Sequence, residues 1–167
     1  MQLQTDLTYL SLESERKIAE NERFRTFLSG FELDELDKMV FQINEIIEPK
    51  IDCTICGNCC KTLMINVEPS EAERLADHLN MPLEKFDAQY IEKSDHSDRR
   101  IVNCIPCHFL SENKCTVYEY RFDGCREFPA LHKPMFKKRL FTIFMHYGRC
   151  PIIYNVVEQL KAEVSFQ

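Results

Sequence analysis

The sequence holds no tryptophan and only four glycines, Gly30, Gly57, Gly124 and Gly148, placed singly along 167 residues. Nucleotide-binding folds of the Rossmann and P-loop kinds need clustered glycines where backbone amides approach phosphate, so both are excluded. Apolar runs reach three to four residues, far short of the roughly 20 that span a bilayer, and no membrane association is expected. No lysine or arginine precedes Arg16, and Asp6 sits in the first turn of sequence. No secretory leader is read there, and the expected compartment is the reducing cytoplasm. Metalloprotease, nucleophile-elbow and kinase-type signatures are missing too. Without a complete set of acid, base and nucleophile, enzyme status stays open. No low-complexity tract interrupts a composition of 44% hydrophobic and 29% charged residues, that of a globular chain.

Against these absences stand nine cysteines. Disulfides are rare in a reducing compartment, and an odd number would leave one thiol over. Free cysteine also packs as a small hydrophobe, but Cys53, Cys56, Cys59 and Cys60 crowd into eight residues beside polar Thr54, Asn58 and Lys61. A Cys-x-x-Cys turn can hold two sulfurs about 3.8 Å apart, the edge of a tetrahedron with ~2.3 Å metal–sulfur bonds. Gly57 follows the second cysteine, where a positive φ would turn amides toward sulfur. Cys53, Cys56 and Cys59 match the opening of a bacterial ferredoxin run, and Cys150-Pro151 has the form of its end. The second group is Cys104-Ile-Pro-Cys107, then Cys115 and Cys125, with Cys150 beyond. The two Cys-x-x-Cys pairs together would make a four-cysteine zinc site, over a 47-residue spacer longer than the usual ~15–20. A thioredoxin-like redox pair needs a βαβ context that neither pair shows.

All nine cysteines are therefore candidate metal ligands, for an iron–sulfur cluster in first place and zinc in second. Consecutive side chains tend to point apart, so Cys59 is expected with Cys53 and Cys56, and Cys60 is expected to face the second group. His108, beside Cys107, is a weaker ligand candidate. His132 and His146 lack a paired carboxylate, and His78 and His96 receive no role.

Residues 1–52 carry 12 acidic and 6 basic side chains, whereas residues 53–167 carry 15 of each. The basic strip from Lys133 to Arg139 is too short, in a chain of net charge −6, to suggest nucleic acid, whose phosphates need a sustained basic face. Arg126 and Arg149, each next to a cysteine, are expected to offset the negative charge of a thiolate centre. Helical periodicity over 33–48, with Leu36, Val40, Ile43 and Ile47, predicts an amphipathic helix. A second is read over 13–29, with Ile18, Phe24, Phe27 and Leu28 inward and Gly30 at its end. Further helices are expected from a capping box at Ser70 to Leu79, from Met81-Pro82 to Ile91, and from Pro151 onward with Ile153, Val157, Leu160 and Val164 inward. Lys61–Val67 and Arg139–Met145 read as strands, 93–100 as a charged loop, and the cysteines as loop and turn residues. The expected fold is α+β and helix-rich. An acidic helical extension over 1–48 precedes a cysteine-cluster domain at 49–150, organised by its metal, and a C-terminal helix at 151–167 packs on the same unit.

The strings CTICGNCC at 53–60, IPCHFL at 105–110, CTVYEYR at 115–121 and CREFP at 125–129, with the later Cys150, are together specific. Over about 50–150 the chain resembles the YkgJ-like cysteine-cluster family, a zinc- or iron-chelating CxxCxxCC domain. Two positions depart from the family pattern, His108 and Phe122 each standing where proline is common; both leave every cysteine in place. The resemblance implies a bound metal, iron–sulfur or zinc, with the cysteines as its ligands. A redox or enzyme-assisting role is the first functional expectation. A zinc-stabilised interaction module without catalysis is the second.

Overall fold

A computed structural model describes residues 3–167. Its helices are α1 (Leu7–Arg16), α2 (Ile18–Leu28), α3 (Leu33–Ile47), α4 (Cys53–Cys56), α5 (Asn58–Thr62), α6 (Pro69–His78), α7 (Leu83–Tyr90), α8 (Asp123–Glu127), α9 (Leu140–Met145) and α10 (Pro151–Glu163). The strands β1 (Ile91–Lys93), β2 (Arg100–Val102), β3 (Leu110–Ser111) and β4 (Lys114–Cys115) form two small antiparallel hairpins. The fold is helix-rich α+β. Two compact units are present, a helical unit made of residues up to Asp52 together with Pro129–Gln167, and a cysteine unit, Cys53–Phe128. Residues 129–150 thus group with the helices before Cys53. Among the described residues no helix is long and apolar enough to cross a membrane.

In the helical unit, α3 buries Leu36, Val40, Ile43 and Ile47 along one stripe, packed against α10. That helix starts at Pro151, whose missing N–H costs nothing at a first helical position, and buries Ile153, Val157 and Leu160, with Val164 half-buried. The helix expected over 13–29 is instead two helices. The first begins at Leu7 because the Asp6 carboxylate accepts the amides of Thr8 and Tyr9 at 2.8 and 3.0 Å; the chain breaks at Lys17. The inward residues are Leu10, Phe24 and Leu28, while Ile18 is 61% exposed and Phe27 40%.

Between these helices Lys161 is buried, its Nζ donating to Glu20, Asn21 and Glu158 at 2.6, 2.7 and 2.7 Å. Burial would raise the Glu158 carboxyl, but hydrogen bonds from Lys161, Lys17 and the Tyr147 hydroxyl hold it below the usual range.

The strand expected at Arg139–Met145 is also absent. Residues Phe136–Arg139 form a 3-10 turn that leads into α9. The buried carboxylate of Asp37 accepts the amides of Met135 and Phe136 at 2.6 and 2.8 Å, and the Arg139 guanidinium donates back to the carbonyls of Ala130 and Lys133. These bonds satisfy the start of a helical stretch, and they outweigh the β-propensity of the aromatic and β-branched side chains.

The cysteine unit has an apolar core of its own, including Val67, Leu75, Phe86, Val102, Phe109 and Phe122. The cap of helix α6 lies two residues before Ser70: Glu68 and Glu71 form the capping box, with Pro69 at the first position. Glu71 is buried and also accepts the amide of Asp123, which ties the start of α8 to α6. The charged loop after Lys93 is framed by the first hairpin, where Ile91 pairs with Val102 and Lys93 with Arg100. Asp87 holds both Lys93, at 2.8 Å, and Arg100. Of the strand expected at Lys61–Val67, only Ile65–Val67 lies along β2, bridged at Asn66↔Ile101.

Removing the Asp37 carboxylate would leave the buried amide of Phe136 and the part-buried amide of Met135 without an acceptor. Asp37→Ala should therefore lower the unfolding free energy by about 2–3 kcal/mol in urea denaturation, and Asp37→Asn, which keeps one acceptor oxygen, by less.

Candidate metal centre

Cys53, Cys56, Cys59, Cys60 and Cys125 lie in short helices and Cys115 on a hairpin strand, whereas Cys104, Cys107 and Cys150 lie in irregular chain as expected. Helix α4 is a single turn closed by the Gly57 amide on the Cys53 carbonyl at 2.9 Å. Gly57 then takes φ +58, and a Cβ there would lie 2.9 Å from the carbonyl oxygen of Asn113. Glycine is needed twice over, for the left-handed backbone and for the close approach of the β3–β4 turn.

Helix α5 follows, and here the geometry departs from expectation. Cys59 and Cys60 do not point apart; their sulfurs stand 4.0 Å from each other. Consecutive residues of a helical turn diverge by about 100°, not the 180° of a strand. The separation is close to the ~3.8 Å edge of a tetrahedral thiolate site.

The second group is brought to the first by backbone pairing. Val67 N–H donates to Arg100 O at 2.9 Å, Val102 N–H to Ile65 O at 3.0 Å, and Cys107 N–H to Cys60 O at 2.8 Å. The first two flank the bridge of Asn66 with Ile101, and the third ties α5 to the chain at Cys107, which sets Cys60 beside Cys107. Cys104 is held by its thiol donating to Pro106 O at 3.0 Å, beside a cis Ile105–Pro106 bond. Cys115 sits on β4 opposite Leu110, and Cys125 lies within α8, its amide on Phe122 O at 2.9 Å.

Cys59, Cys60, Cys107 and Cys125 line one pocket of about 30 Å³, walled by Leu63, Ile65, Val102, Phe122 and Phe128. Cys53 is exposed, and its charge bears on Cys59, as that of Cys104 bears on Cys107. No disulfide joins any of the nine cysteines. Cys150 lies in the helical unit, buried at the N-cap of α10.

The hydrogen bond between Cys59 and Cys60 lowers the first thiol and raises the second. Burial pushes Cys125 up to about 12, and charge at Cys60, Cys107 and Cys115 adds to the rise. Burial also raises Cys107 and Cys115, against the backbone amides of Phe109 and Val117, which favour their thiolates. The arginine whose charge eases Cys115 and Cys125 is Arg121, not Arg126 or Arg149. Arg126 donates to the carbonyls of Arg121 and Glu119, and Arg149 belongs to the helical unit.

Among the histidines, His108 Nε2 is engaged by Asn103 Oδ1 at 2.6 Å, and His78 stacks on Tyr120 at 3.7 Å. His132 and His146 lie in the helical unit. Phe122 and Phe128 read from sequence as core around the cysteine loops, whereas Asn113, Arg121 and the walls Leu63, Ile65 and Val102 carry no such mark. Only Asn113 carried a local signal, a Glu112-Asn113 pair with positive φ at both residues, as hairpin turns require.

Among the described residues no three His, Cys, Asp or Glu side chains are already arranged around one point as a ligand sphere. The donor set nevertheless fits zinc or iron: four soft sulfurs share one apolar pocket, and two of them are already at tetrahedral spacing. Closing the set requires loss of thiol protons and rotation of side chains. A family model described as "CxxCxxCC: Putative zinc- or iron-chelating domain" matches residues 52–146. Neither a curated protein nor a solved structure matches the chain.

Gly57→Ala should destabilise the cysteine unit by at least about 1–2 kcal/mol, the cost of a left-handed L-residue, with the Asn113 contact adding to it. Thermal denaturation would show the loss, and Gly124→Ala, a glycine with no positive φ whose nearest contact is the Ile65 side chain, should be milder.

Proposed function

The chain belongs to the CxxCxxCC family of zinc- or iron-chelating domains, and on that premise we propose that the cysteines from Cys53 to Cys125 hold an iron–sulfur cluster with a redox or enzyme-assisting role in the cytoplasm. The observation that carries this reading is the convergence of Cys59, Cys60, Cys107 and Cys125, from three separate stretches of chain, on one apolar pocket. Four further thiols, Cys53, Cys56, Cys104 and Cys115, belong to the same unit. That surplus over the four thiolates that one zinc ion or one cluster takes favours more than one centre, and the ferredoxin-like spacing of Cys53, Cys56 and Cys59 favours a cluster among them. Cys150 is the ninth candidate, with the least support, because its backbone and burial already serve α10.

When bound, an iron–sulfur centre supplies one-electron transfer at a potential set by burial and by hydrogen bonds to sulfur. The chain's own residues set both conditions. Leu63, Ile65, Val102, Phe122 and Phe128 keep water from the sulfurs. The amides of Phe109 and Val117 favour the thiolates of Cys107 and Cys115, and Arg121 offsets charge at Cys115 and Cys125. A specific observation also favours zinc as the second reading. The 4.0 Å sulfur separation and the pocket of about 30 Å³ suit one tetrahedral ion, and the chain would then be a structural or interaction module.

Protein purified without oxygen separates the two. Iron and acid-labile sulfide with visible absorption support the cluster, whereas stoichiometric zinc in colourless protein sinks it. On the same preparation Cys60→Ser should lose most of the bound metal and Cys53→Ser clearly less, by elemental analysis. Equal retention in both variants would remove the pocket from the ligand set.

The pH dependence has a definite sign. Cys60, Cys107, Cys115 and Cys125 are raised, so these thiols are protonated at neutral pH and metal must displace their protons. Apparent affinity should fall as pH falls, by about tenfold per unit for each proton displaced. Chelator competition between pH 8 and pH 6 would measure it, and a flat profile would contradict thiol ligation.

A further inference from the structure

Eight of the nine thiols belong to the cysteine unit, and the backbone shows which of their sulfurs go together. Cys60, Cys107 and Cys115 are joined in two steps. The Cys107 amide donates to Cys60 O at 2.8 Å and the Leu110 amide to Cys107 O at 3.0 Å, and Leu110 is the residue that pairs with Cys115 between β3 and β4. Cys107, Cys115 and Cys125 pack against one apolar core, while Cys60, Cys107 and Cys125 line one pocket. Charge on any one of these four sulfurs bears on each of the other three. Two of the four already accept an amide hydrogen bond that favours thiolate, Cys107 from Phe109 and Cys115 from Val117.

Four thiolates complete a centre, which makes Cys59 a fifth. It lines the same pocket, but it also has a neighbour outside the set, since charge at Cys53 bears on it. Cys53 and Cys56 stand three residues apart on the single turn of α4 and so share one side of it. The left-handed backbone of Gly57 then redirects the chain into α5, which carries Cys59. Leaving Cys59 out of the first set gives it Cys53 and Cys56. Leaving Cys115 out instead would strand a sulfur whose charge partners are Cys60, Cys107 and Cys125. The spacing agrees, because in a two-cluster ferredoxin run the fourth cysteine ligates the other cluster, and here the fourth is Cys60.

We propose that the cysteine unit holds two adjacent metal centres, an inner one on Cys60, Cys107, Cys115 and Cys125 and an outer one on Cys53, Cys56 and Cys59. Their junction is the pair Cys59 and Cys60, whose sulfurs stand 4.0 Å apart and serve one centre each. The inner centre is walled by Val102 and Phe122, whereas the outer one includes the exposed Cys53 and is the first that a reagent in solution meets. The inference rests on the cysteine unit being the metal site, and adds to that reading the number of centres and the membership of each.

Paired substitutions in the full chain, purified without oxygen, test the membership, with metal per chain as the readout and circular dichroism as the control for folding. Ligands of one centre act as a unit, so their losses do not add, whereas losses at separate centres do. Cys115→Ser and Cys125→Ser should each remove the same share of the metal, and the double variant no more than either. Cys56→Ser and Cys59→Ser should match each other in the same way. Cys59→Ser combined with Cys115→Ser should remove the sum of the two losses and leave the chain nearly free of metal. Alanine at the same positions replaces any serine variant that folds poorly, and the wild type supplies a measurement that needs no substitution. EDTA should withdraw its metal in two phases, and Cys56→Ser should lack the faster one. A double Cys59/Cys115 variant that loses no more than either single variant places both in one centre and overturns the proposal while the metal site stands, as does release in a single phase. A wild type without metal overturns the metal reading and this one with it.

Discussion

One backbone hydrogen bond, from the amide of Cys107 to the carbonyl of Cys60, connects two cysteine groups that lie far apart in sequence. Further along the same two stretches, Val67 pairs with Arg100 and Ile65 with Val102. Those pairs rest in turn on the buried side chains of Val67, Val102 and the residues packed with them. The candidate metal centre is therefore placed by an apolar core and by backbone hydrogen bonds. Cys59 and Cys60 reach the pocket from α5, Cys125 from α8, and Cys107 through its amide on the Cys60 carbonyl.

This arrangement also explains the electrostatics. A pocket walled by Leu63, Val102 and Phe122 disfavours charge, so the thiols of Cys60, Cys107 and Cys125 stay protonated when nothing else is bound. A cation would reverse that preference at every sulfur together, since each thiolate formed stabilises the ion and is stabilised by it. Burial thus acts as selection. It resists a lone thiolate and tolerates several only around a metal.

Much of this was legible in the sequence, and the limits have physical causes. The stripe Leu36–Val40–Ile43–Ile47 and the proline start of α10 are local signals, and both helices lie where those signals put them. The cysteine strings were legible for the same reason: side-chain chemistry at short spacing needs no knowledge of the fold. What failed depended on distant partners. Nothing near Arg139 announces that Asp37, about a hundred residues earlier, caps the turn before α9, so β-propensity misled. The placement of Cys59 and Cys60 turned on one local choice, helical turn against extended chain, and α5 is too short for periodicity to reveal. The charge of Arg121 rather than Arg126 bears on Cys115 and Cys125, although both guanidiniums donate to carbonyls of the same loop, and adjacency to Cys125 does not convey that.

The division of the chain has a consequence for synthesis. The cysteine unit is one continuous stretch, Cys53–Phe128, whereas the helical unit is assembled from segments on either side of it. Helix α3 buries its apolar stripe largely against α10, which leaves the ribosome only after the entire cysteine unit has emerged. During translation the early helices therefore wait with that stripe uncovered, while the cysteine unit already has its whole sequence and can close. Folding order should run inside out along the chain, with the inserted unit first and the flanking helices joined last, and the wait is the interval in which the nascent chain is most exposed to aggregation.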